Sequence, residues 1–313
     1  MPKIITITFS PCIDKSTSVP ELVPEKKIKC SAPKLEPGGG GINVARAIRK
    51  IGGQATAIYP AGGYTGKHFI KLMAEEAVAS VIIETENETR ENIIVLEEYT
   101  NRQYRFGMPG TELKETEWKE ILNAIEEIND AELIVASGSL PPGVPPDIFA
   151  RIAVIAKKKG SKFIVDTSGK ALSYAVNEGI YLLKPNLGEL ASLIGKTYLK
   201  QDEAYLAAKQ IIRKGKCDVI VVSMGSAGAI LVTKEKGTQF SIPAVKIKST
   251  VGAGDSMVAG IVLQLSRGKD LEESVQYGVA CGTAATMNAG TELCKLKDVE
   301  TLYPVISTEK ISF

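Results

Sequence analysis

Short apolar runs rich in β-branched residues alternate along the chain with segments of helical periodicity. In the clearest helical segment, apolar residues follow the i, i+3, i+4, i+7 spacing at Trp118, Ile121, Leu122 and Ile125. This alternation predicts a mainly parallel sheet with helices on both faces, which is an α/β fold. The predicted strands are residues 4–9, 55–59, 133–136, 163–165, 181–183, 219–223 and 229–233.

Helices are predicted between these strands and again towards the end of the chain. After Gly254, two further helical segments are apolar on nearly all sides, which is typical of buried helices. The predicted amphipathic helices are residues 42–51, 65–77, 114–128, 146–158 and 203–214.

Two segments interrupt the alternation and are predicted to form a small separate sheet. Residues 16–36 are polar and contain three prolines, and residues 84–108 alternate polar and apolar positions with a turn near 100–102. Both suit antiparallel strands that are exposed on one face. We therefore expect one domain over residues 1–313, with lid strands from about 15–36 and 86–108 that cover a site or form a dimer contact. The alternative is two ordinary surface excursions.

The composition is that of a globular protein and excludes several classes of function. Of the 313 residues, 44% are hydrophobic and 24% are charged. The net charge of +2 lacks the basic excess that is usual in nucleic-acid-binding proteins. Apolar stretches reach only about ten residues, too short for a membrane span of about 20. We therefore expect neither a nucleic acid nor a membrane as partner.

Cysteine and histidine usage narrows the chemistry further. The five cysteines are dispersed without a CxxC pair, and the N-terminus has no apolar signal segment. We expect buried, reduced thiols and a cytoplasmic protein. The single histidine, His68, argues against a Ser–His–Asp hydrolase, a multi-histidine zinc site and a haem protein. Carboxylates, basic side chains and backbone amides are left to carry the chemistry.

The first candidate motif is a run of four glycines, residues 38–41, that opens directly into a helix. Glycines allow close backbone approach, and the helix N-terminus beyond them favours an anionic or polar group. The run does not match GxGxxG, because Asn43 stands where a glycine would be needed, and residues 61–68 do not match the P-loop pattern. The alternative to a ligand site is a tight turn.

The second motif is Gly252-Ala253-Gly254-Asp255, at the start of an apolar helix. The backbone N–H groups of residues 252–254 would converge on an anion, with the Asp255 carboxylate beside them. The alternative is that Asp255 only caps the helix. An anion hole next to a base suits phosphoryl transfer, in which positioning and electrostatics supply most of the catalysis.

Further candidates follow other predicted strands. Asn186 and Glu189, after Lys184, match either an N-cap pair or contacts to a nucleotide and its magnesium. Residues 223–228 match either a hairpin turn or a nucleotide contact. Three cations in the two lid segments suit an anionic substrate; they are Lys27, Arg90 and Arg105.

Together these motifs resemble those of the PfkB carbohydrate kinases of the ribokinase-like superfamily. GGGGINVARAIRKIGG is similar to the family's first signature and STVGAGDSMVAG to its second, and the resemblance extends over residues 3–306. It implies a ribokinase-like three-layer αβα domain with a β-sheet lid that often forms a homodimer contact.

The resemblance implies a role for each candidate residue. Asp255 would be the catalytic base, with an anion hole at Gly252, Ala253 and Gly254. The sugar contacts would be Asp14, Gly38, Gly39, Asn43 and Ser139, and the contacts to the existing phosphate Lys27, Arg90 and Arg105. The ATP side would be Lys184, Asn186, Ser223, Gly225, Gly228 and Thr250, with Gly252 and Gly254. Glu189 and Asp166 would hold Mg²⁺ through water, and Ser249, Val251, Ala285, Asn288 and Gly290 would hold K⁺, with Glu292 where an arginine is expected.

The implied activity is that of an ATP-dependent sugar-phosphate kinase using Mg²⁺ and K⁺. Tagatose-6-phosphate kinases and 1-phosphofructokinases of the family usually have lysine where this chain has Gly40, which favours 6-phosphofructokinase activity. Those two activities remain alternatives, and so does a non-catalytic regulatory protein that binds sugar phosphates. A ribose or nucleoside kinase would give the lid cations no anionic partner.

Overall fold

The structure, a computed structural model, describes residues 4–311, which form fourteen strands and ten α-helices. The strands are β1 (Ile4–Ile7), β2 (Cys12–Val19), β3 (Lys34–Gly38), β4 (Thr56–Gly62), β5 (Ala79–Thr85), β6 (Arg90–Glu97), β7 (Arg102–Phe106), β8 (Leu133–Ser137), β9 (Lys162–Asp166), β10 (Ile180–Leu183), β11 (Cys217–Ser223), β12 (Ala229–Val232), β13 (Gly237–Ser241) and β14 (Ser307–Lys310). The helices are α1 (Gly40–Lys50), α2 (Gly63–Glu75), α3 (Glu115–Glu127), α4 (Ile148–Lys159), α5 (Gly169–Glu178), α6 (Leu187–Leu193), α7 (Ala204–Arg213), α8 (Ala253–Ser266), α9 (Leu271–Thr286) and α10 (Leu296–Leu302).

Ten strands form the central sheet, in the order β14-β13-β12-β11-β10-β9-β8-β1-β4-β5. The seven strands from β11 to β5 in this order are all parallel to their neighbours. At one edge of the sheet, β12, β13 and β14 are antiparallel to their neighbours. The prediction of a mainly parallel sheet is confirmed.

The sheet separates two apolar cores, so the fold has three layers. Successive residues of β8 face opposite cores: Leu133 and Val135 pack with α1, α8 and α9, whereas Ile134 and Ala136 pack with α3, α4 and α5. This two-residue alternation is the geometry of a strand whose two faces are both buried. It explains why the central strands read as continuous apolar runs in the sequence.

A second sheet of four strands, in the order β3-β2-β6-β7, forms the lid. Its outer pairs are antiparallel as predicted, but the central pair of β2 and β6 is parallel, which corrects the expectation of antiparallel strands. The physical reason lies in the main sheet. Strands β1 and β5 run in the same direction there, and β2 and β6 follow them within a few residues, so both leave the sheet the same way.

The lid strands also have different bounds from those expected. Strand β2 begins at Cys12 rather than near residue 15, and residues 20–33 form an irregular connection between β2 and β3. In the second segment, the lid begins at Arg90 because residues up to Thr85 belong to β5 of the main sheet.

Helices α8 and α9 are buried and packed closely against each other. A Cβ added to Gly278 of α9 would lie 2.4 Å from Ile261 Cγ1, and one added to Gly260 of α8 would lie 2.7 Å from Cys281 Sγ. Both distances are too short for a side chain, so these glycines let the two helix backbones approach. The prediction of two buried helices after Gly254 is confirmed. Packing against α9 fixes the part of α8 that follows its N-terminus.

Two further expectations concern cysteines and membranes. All five cysteines are free, and four are buried, but Cys30 is exposed in the connection between β2 and β3. The expectation of buried thiols was therefore wrong for Cys30, since that connection does not pack into either core. Within residues 4–311, no helix combines the length and apolar character needed to cross a membrane.

Candidate active site

Polar side chains mark the carboxyl ends of four adjacent parallel strands. Ser137 ends β8, Asp166 ends β9, Lys184 follows β10 and Ser223 ends β11. In open parallel sheets, ligands bind outside the carboxyl ends of the strands. The candidate site residues Asp166, Lys184 and Ser223 therefore lie along the same edge of the central sheet, although they are far apart in the sequence.

The N-termini of α1 and α8 meet at this edge, where Asp255 is held by two hydrogen bonds. The side-chain amide of Asn43 donates to Asp255 Oδ2 at 2.9 Å, and the Ser137 hydroxyl donates to Oδ1 at 3.4 Å. Sequence reasoning selected Asp255 and Asn43 but chose Ser139, which is exposed two residues beyond Ser137. A lone serine at a strand end gives no sequence signal that separates it from its neighbour.

The glycine run brings α1 close to the sheet. Gly39 has a φ of 113°, which favours glycine, and a Cβ on Gly40 would lie 2.3 Å from Ser137 Oγ. A Cβ on Gly38 would lie 2.3 Å from Asp14 Oδ2. The alternative of a tight turn is therefore correct for the local geometry, and the same turn sets Asn43 beside the candidate base and Gly38 against Asp14.

Asp255 has the properties of a base with a pKa near neutrality. Burial raises the pKa of its carboxyl to about 7, and the nearby Asp166 carboxylate adds to the rise, against the opposing effects of Asn43, Lys184 and Ser137. A carboxylate of ordinary pKa would be a weak base at pH 7. The enclosed site makes Asp255 a better proton acceptor than its residue type alone predicts.

Beside Asp255, the first turn of α8 is open to an anion. Gly252 is the N-cap, with a φ of 71° and no side chain to cap the helix. The first N–H groups of a helix have no intrahelical acceptor and carry its positive dipole end. Ala253 and Gly254 therefore present N–H groups at a position suited to a phosphate or a developing negative charge.

A buried ion pair lies next to this turn. Lys184 Nζ is 3.1 Å from Asp166 Oδ1, and a Cβ on Gly254 would lie 3.3 Å from Lys184 Nζ. Burial opposes the charge of Lys184, but the Asp166 carboxylate raises its pKa, so the ammonium group stays protonated. A protonated lysine beside the helix N-terminus adds positive charge to the candidate anion site.

Asn186 and Glu189 form a capping box at the start of α6. The Glu189 N–H donates to Asn186 Oδ1 and the Asn186 N–H donates to Glu189 Oε2, both at 2.9 Å. The structural alternative from the sequence is thus correct. Burial raises the pKa of Glu189, and Asp166 contributes to the rise against the Asn186 N–H bond. The carboxylate oxygens of Glu189 and Asp166 are of the type that a hard cation prefers as ligands.

A cavity of about 560 Å³ opens between the end of β11 and the start of α8. Its lining includes Ser223, Gly225, Gly228, Thr250 and Gly254, five of the residues predicted for the ATP side. The connection of residues 224–228 is also the hairpin turn between antiparallel β11 and β12. Sequence reasoning missed the apolar wall, which is Ile242, Pro243, Ala244, Val245, Ile247, Met257 and Val279.

Two of the three lid cations lie near the site. Arg105 Nη2 donates to Thr250 Oγ1 at 3.2 Å, which joins β7 to the loop before α8. Arg90 donates to the Ser10 and Met108 carbonyl oxygens and to Asn92 Oδ1, while its buried Nε has no hydrogen-bond partner among residues 4–311. Lys27 is exposed in the irregular connection 20–33 and makes no ion pair within residues 4–311.

Four of the residues predicted for K⁺ lie on two adjoining loops, and Ala285 lies in the last turn of α9. The Ser249 hydroxyl donates to the Gly290 carbonyl oxygen at 2.7 Å, and the Asn288 N–H donates to the Ala285 carbonyl oxygen. Glu292 is paired with Lys295 at 3.2 Å. Carbonyl and hydroxyl oxygens on joined loops are suitable ligands for a monovalent cation.

A fully buried arginine ties the glycine run to the second of these loops. Arg46 of α1 donates to the Pro37 carbonyl oxygen at 2.7 Å and pairs with Glu36 at 3.2 Å. Glu36 in turn accepts a bond from the Thr291 hydroxyl at 2.7 Å, and Glu76 also pairs with Arg46. Sequence reasoning did not select this network, because an arginine on an amphipathic helix usually indicates a solvated face.

The combination of this fold, the uncapped helix N-terminus and the carboxylate beside it defines a class of sugar-phosphorylating enzymes. The chain belongs to the pfkB family of carbohydrate kinases, whose family model matches residues 6–298. The resemblance inferred from the sequence is therefore confirmed, and so is the ribokinase-like fold with its separate lid sheet.

Comparison with individual relatives is more specific than the match to the family model. The chain is 46% identical to ATP-dependent 6-phosphofructokinase isozyme 2 of Escherichia coli over 308 residues, covering 98% of this chain and 100% of that protein. The structure of phosphofructokinase-2 from E. coli with potassium matches with a TM-score of 0.93 at 46% identity, over 97% of this chain and 99% of that one. The structure of the same enzyme with fructose-6-phosphate matches with a TM-score of 0.92 at 44% identity, over 98% of this chain and 99% of that one.

The raised pKa of Asp255 predicts that this carboxylate destabilises the fold. Between the ordinary pKa of 3.8 and the folded value of about 7, the folded protein binds the extra proton, so the free energy of unfolding falls as the pH rises. We expect Asp255→Asn to be more stable than the unsubstituted protein at pH 8, on the order of 1–3 kcal/mol. Urea unfolding at pH 8 and pH 5 should show a smaller gain at pH 5. An equal gain at both pH values would contradict the raised pKa.

Proposed function

We propose that this chain is an ATP-dependent 6-phosphofructokinase, which transfers the γ-phosphate of ATP to the C1 hydroxyl of fructose 6-phosphate. The observation that carries the proposal is the Asp255 carboxylate, held by Asn43 and Ser137 beside the uncapped N-terminus of α8. The similarity to an enzyme of this activity over nearly the whole chain supports it.

In the proposed reaction, Asp255 accepts the proton of the C1 hydroxyl. The freed oxygen attacks the γ-phosphorus as the bond to the β-phosphate oxygen breaks, and ADP leaves. The N–H groups of Ala253 and Gly254 face the negative charge that develops on the transferred group. Lys184 adds a fixed positive charge beside the Gly254 end of this turn.

We assign ATP to the 560 Å³ cavity, whose apolar wall suits an adenine ring and whose Gly254 end meets the anion site. Asp166 and Glu189 fit Mg²⁺ through water, and bound magnesium would offset the charge of the phosphates. Ser249, Val251, Ala285, Asn288 and Gly290 fit K⁺ near the loop that carries the anion site. The free cysteines support a cytoplasmic location.

We assign the sugar phosphate to the space between α1 and the lid. Asp14, Gly38, Gly39, Asn43 and Ser139 would contact the sugar, and the lid cations its 6-phosphate. Closed over the site, the lid would exclude water and limit the hydrolysis of ATP. The Arg105 contact to Thr250 supports a lid that reaches the nucleotide side.

Gly40 favours 6-phosphofructokinase activity over the two alternative kinase activities. The related tagatose-6-phosphate kinases and 1-phosphofructokinases usually have lysine at this position. Here a Cβ would already lie 2.3 Å from Ser137 Oγ and 2.5 Å from the Gly138 backbone nitrogen, so a larger residue would displace the contact to the base. A regulatory protein without turnover would not need a poised carboxylate at the helix N-terminus.

We further propose that the lid forms a homodimer contact. Within residues 86–108, the large apolar side chains that are exposed are Ile93 (38% exposed), Tyr99 (85%), Phe106 (48%) and Met108 (43%). Ile93 and Phe106 are directly paired across β6 and β7, so they form one patch. An apolar patch on a thin sheet is unfavourable in water unless something covers it.

A panel of sugar phosphates tests the proposed activity. We expect kcat/KM to be greatest for fructose 6-phosphate, lower for tagatose 6-phosphate by about ten- to hundredfold, and lowest for fructose 1-phosphate. The first difference reflects one mispaired hydroxyl, which costs roughly 1–3 kcal/mol in a buried site. The second arises because fructose 1-phosphate must turn round to offer a free hydroxyl to Asp255. An ADP-release assay that ranked fructose 1-phosphate first would refute the assignment.

Loss of the base should reduce turnover without loss of binding. We expect Asp255→Asn to lower kcat by about 10²-fold or more, the usual scale for a general base, with little change in the affinity for either substrate. The matched control is Asp218→Asn, which makes the same change at an exposed position of β11. If Asp255→Asn kept more than about a tenth of the kcat, Asp255 would not be the base.

Charge within the lid patch should disrupt the dimer. We expect Phe106→Glu to shift the protein towards the monomer in light scattering coupled to size exclusion, because a carboxylate would be buried in the apolar contact. Tyr198→Glu is the control, since Tyr198 is 72% exposed outside the lid. A dimer that survives both substitutions would argue for another interface.

A further inference from the structure

Asn92 lies between two groups that the proposed function assigns to opposite ends of the substrate. It stands on β6 directly opposite Asp14 of β2, and its side chain is half-buried. Its amide nitrogen donates to Asp14 Oδ1 at 2.9 Å and to Cys12 Sγ at 3.1 Å. Its oxygen accepts from Arg90 Nη1 at 3.3 Å and from the Met108 N–H at 3.1 Å.

These four bonds use the full capacity of the amide, which has two N–H donors and two lone pairs on its oxygen. They also fix its orientation. The guanidinium of Arg90 can only donate, and an ionised Asp14 can only accept, so the oxygen of Asn92 must face Arg90 and its nitrogen must face Asp14. An ionised carboxylate of the same shape could accept from Arg90 but could not donate to Asp14.

The orientation determines which oxygen of Asp14 remains for a ligand. Asp14 Oδ1 accepts from Asn92 and from the Cys12 thiol, at 2.9 and 3.3 Å. Asp14 Oδ2 accepts no hydrogen bond from the part of the chain that the structure describes. It lies beside the glycine run, 2.3 Å from where a Cβ on Gly38 would stand. Asn92 thus leaves Oδ2 to face the proposed sugar site.

We infer that Asn92 is a positioning residue that couples recognition of a sugar hydroxyl by Asp14 to recognition of the phosphate by Arg90. This inference rests on the proposed function. By holding the carboxylate in one rotamer, Asn92 makes Asp14 selective for a hydroxyl in one configuration. Without Asn92, Asp14 is free to turn towards the hydroxyl of an epimer, and Arg90 loses one of its fixed acceptors.

Substitution of Asn92 should therefore affect the sugar phosphate and not the nucleotide. We expect Asn92→Ala to raise KM for fructose 6-phosphate by about ten- to hundredfold, the effect of losing a buried hydrogen bond to a charged group. kcat and the KM for ATP should change less than about threefold. The preference for fructose 6-phosphate over tagatose 6-phosphate should fall by about fivefold or more, which a general loss of structure would not produce.

Asn92→Asp gives a second test through pH, with a side chain of the same shape. The introduced carboxyl can donate to Asp14 only when it is protonated, so KM for fructose 6-phosphate should improve as the pH falls from 8 to 6. Glu91→Gln is the control on the same strand, since the only contact of the Glu91 side chain within the described residues is an ion pair with Lys15 at 3.5 Å, where both side chains are 38% exposed. It should leave both KM values and the epimer preference unchanged.

A double-mutant cycle tests whether Asn92 acts through Asp14. If it does, Asn92→Ala should add less than about threefold to the KM of Asp14→Asn. Fully multiplicative effects, an unchanged epimer preference, or an equal rise in the KM for ATP would each overturn the inference. Failure of the proposed function is a separate result, because it would appear as an unsubstituted protein that neither binds fructose 6-phosphate in calorimetry nor phosphorylates it.

Discussion

The hydrogen bond from Asn43 to Asp255 is the contact on which the rest of the site depends. It joins residues 212 positions apart and sets the N-terminus of α1 against that of α8. Each helix is brought there by glycines, at positions 38–41 for α1 and at Gly252 for α8. The carboxylate, the open helix N-terminus and the sugar side of the cleft are therefore parts of one junction, and a shift of either helix would separate the base from the anion site.

This junction places a carboxylate where its charge is costly. Burial and Asp166 both raise the pKa of Asp255, and only Asn43, Lys184 and Ser137 oppose the rise. Behind this carboxylate, α8 packs against α9 at glycine positions where a Cβ would clash. The same burial that weakens the fold raises the pKa of the candidate base to about 7.

The features that could be predicted from the sequence are those determined by residues that are close together along the chain. The central strands, the helices and the two glycine motifs are local patterns, and all of them are present. Ser137, the apolar wall of the cavity and the parallel pairing of β2 with β6 arise from contacts between distant segments, and no local pattern encodes them. Asn186 and Glu189 show the converse limit, because their capping box fits the sequence as well as a ligand role does, and one does not exclude the other.

The parallel pair at the centre of the lid has a consequence for specificity. Because β2 and β6 continue β1 and β5 of the main sheet, their register is set by the same packing that builds the core. That register sets Asp14 opposite Asn92, and Arg90 lies two residues before Asn92 on the same strand. A lid attached by flexible linkers would not hold these three side chains in one geometry. Since β2 and β6 follow β1 and β5 after only four residues each, the groups assigned to the two ends of the sugar phosphate are positioned by the fold before any ligand binds.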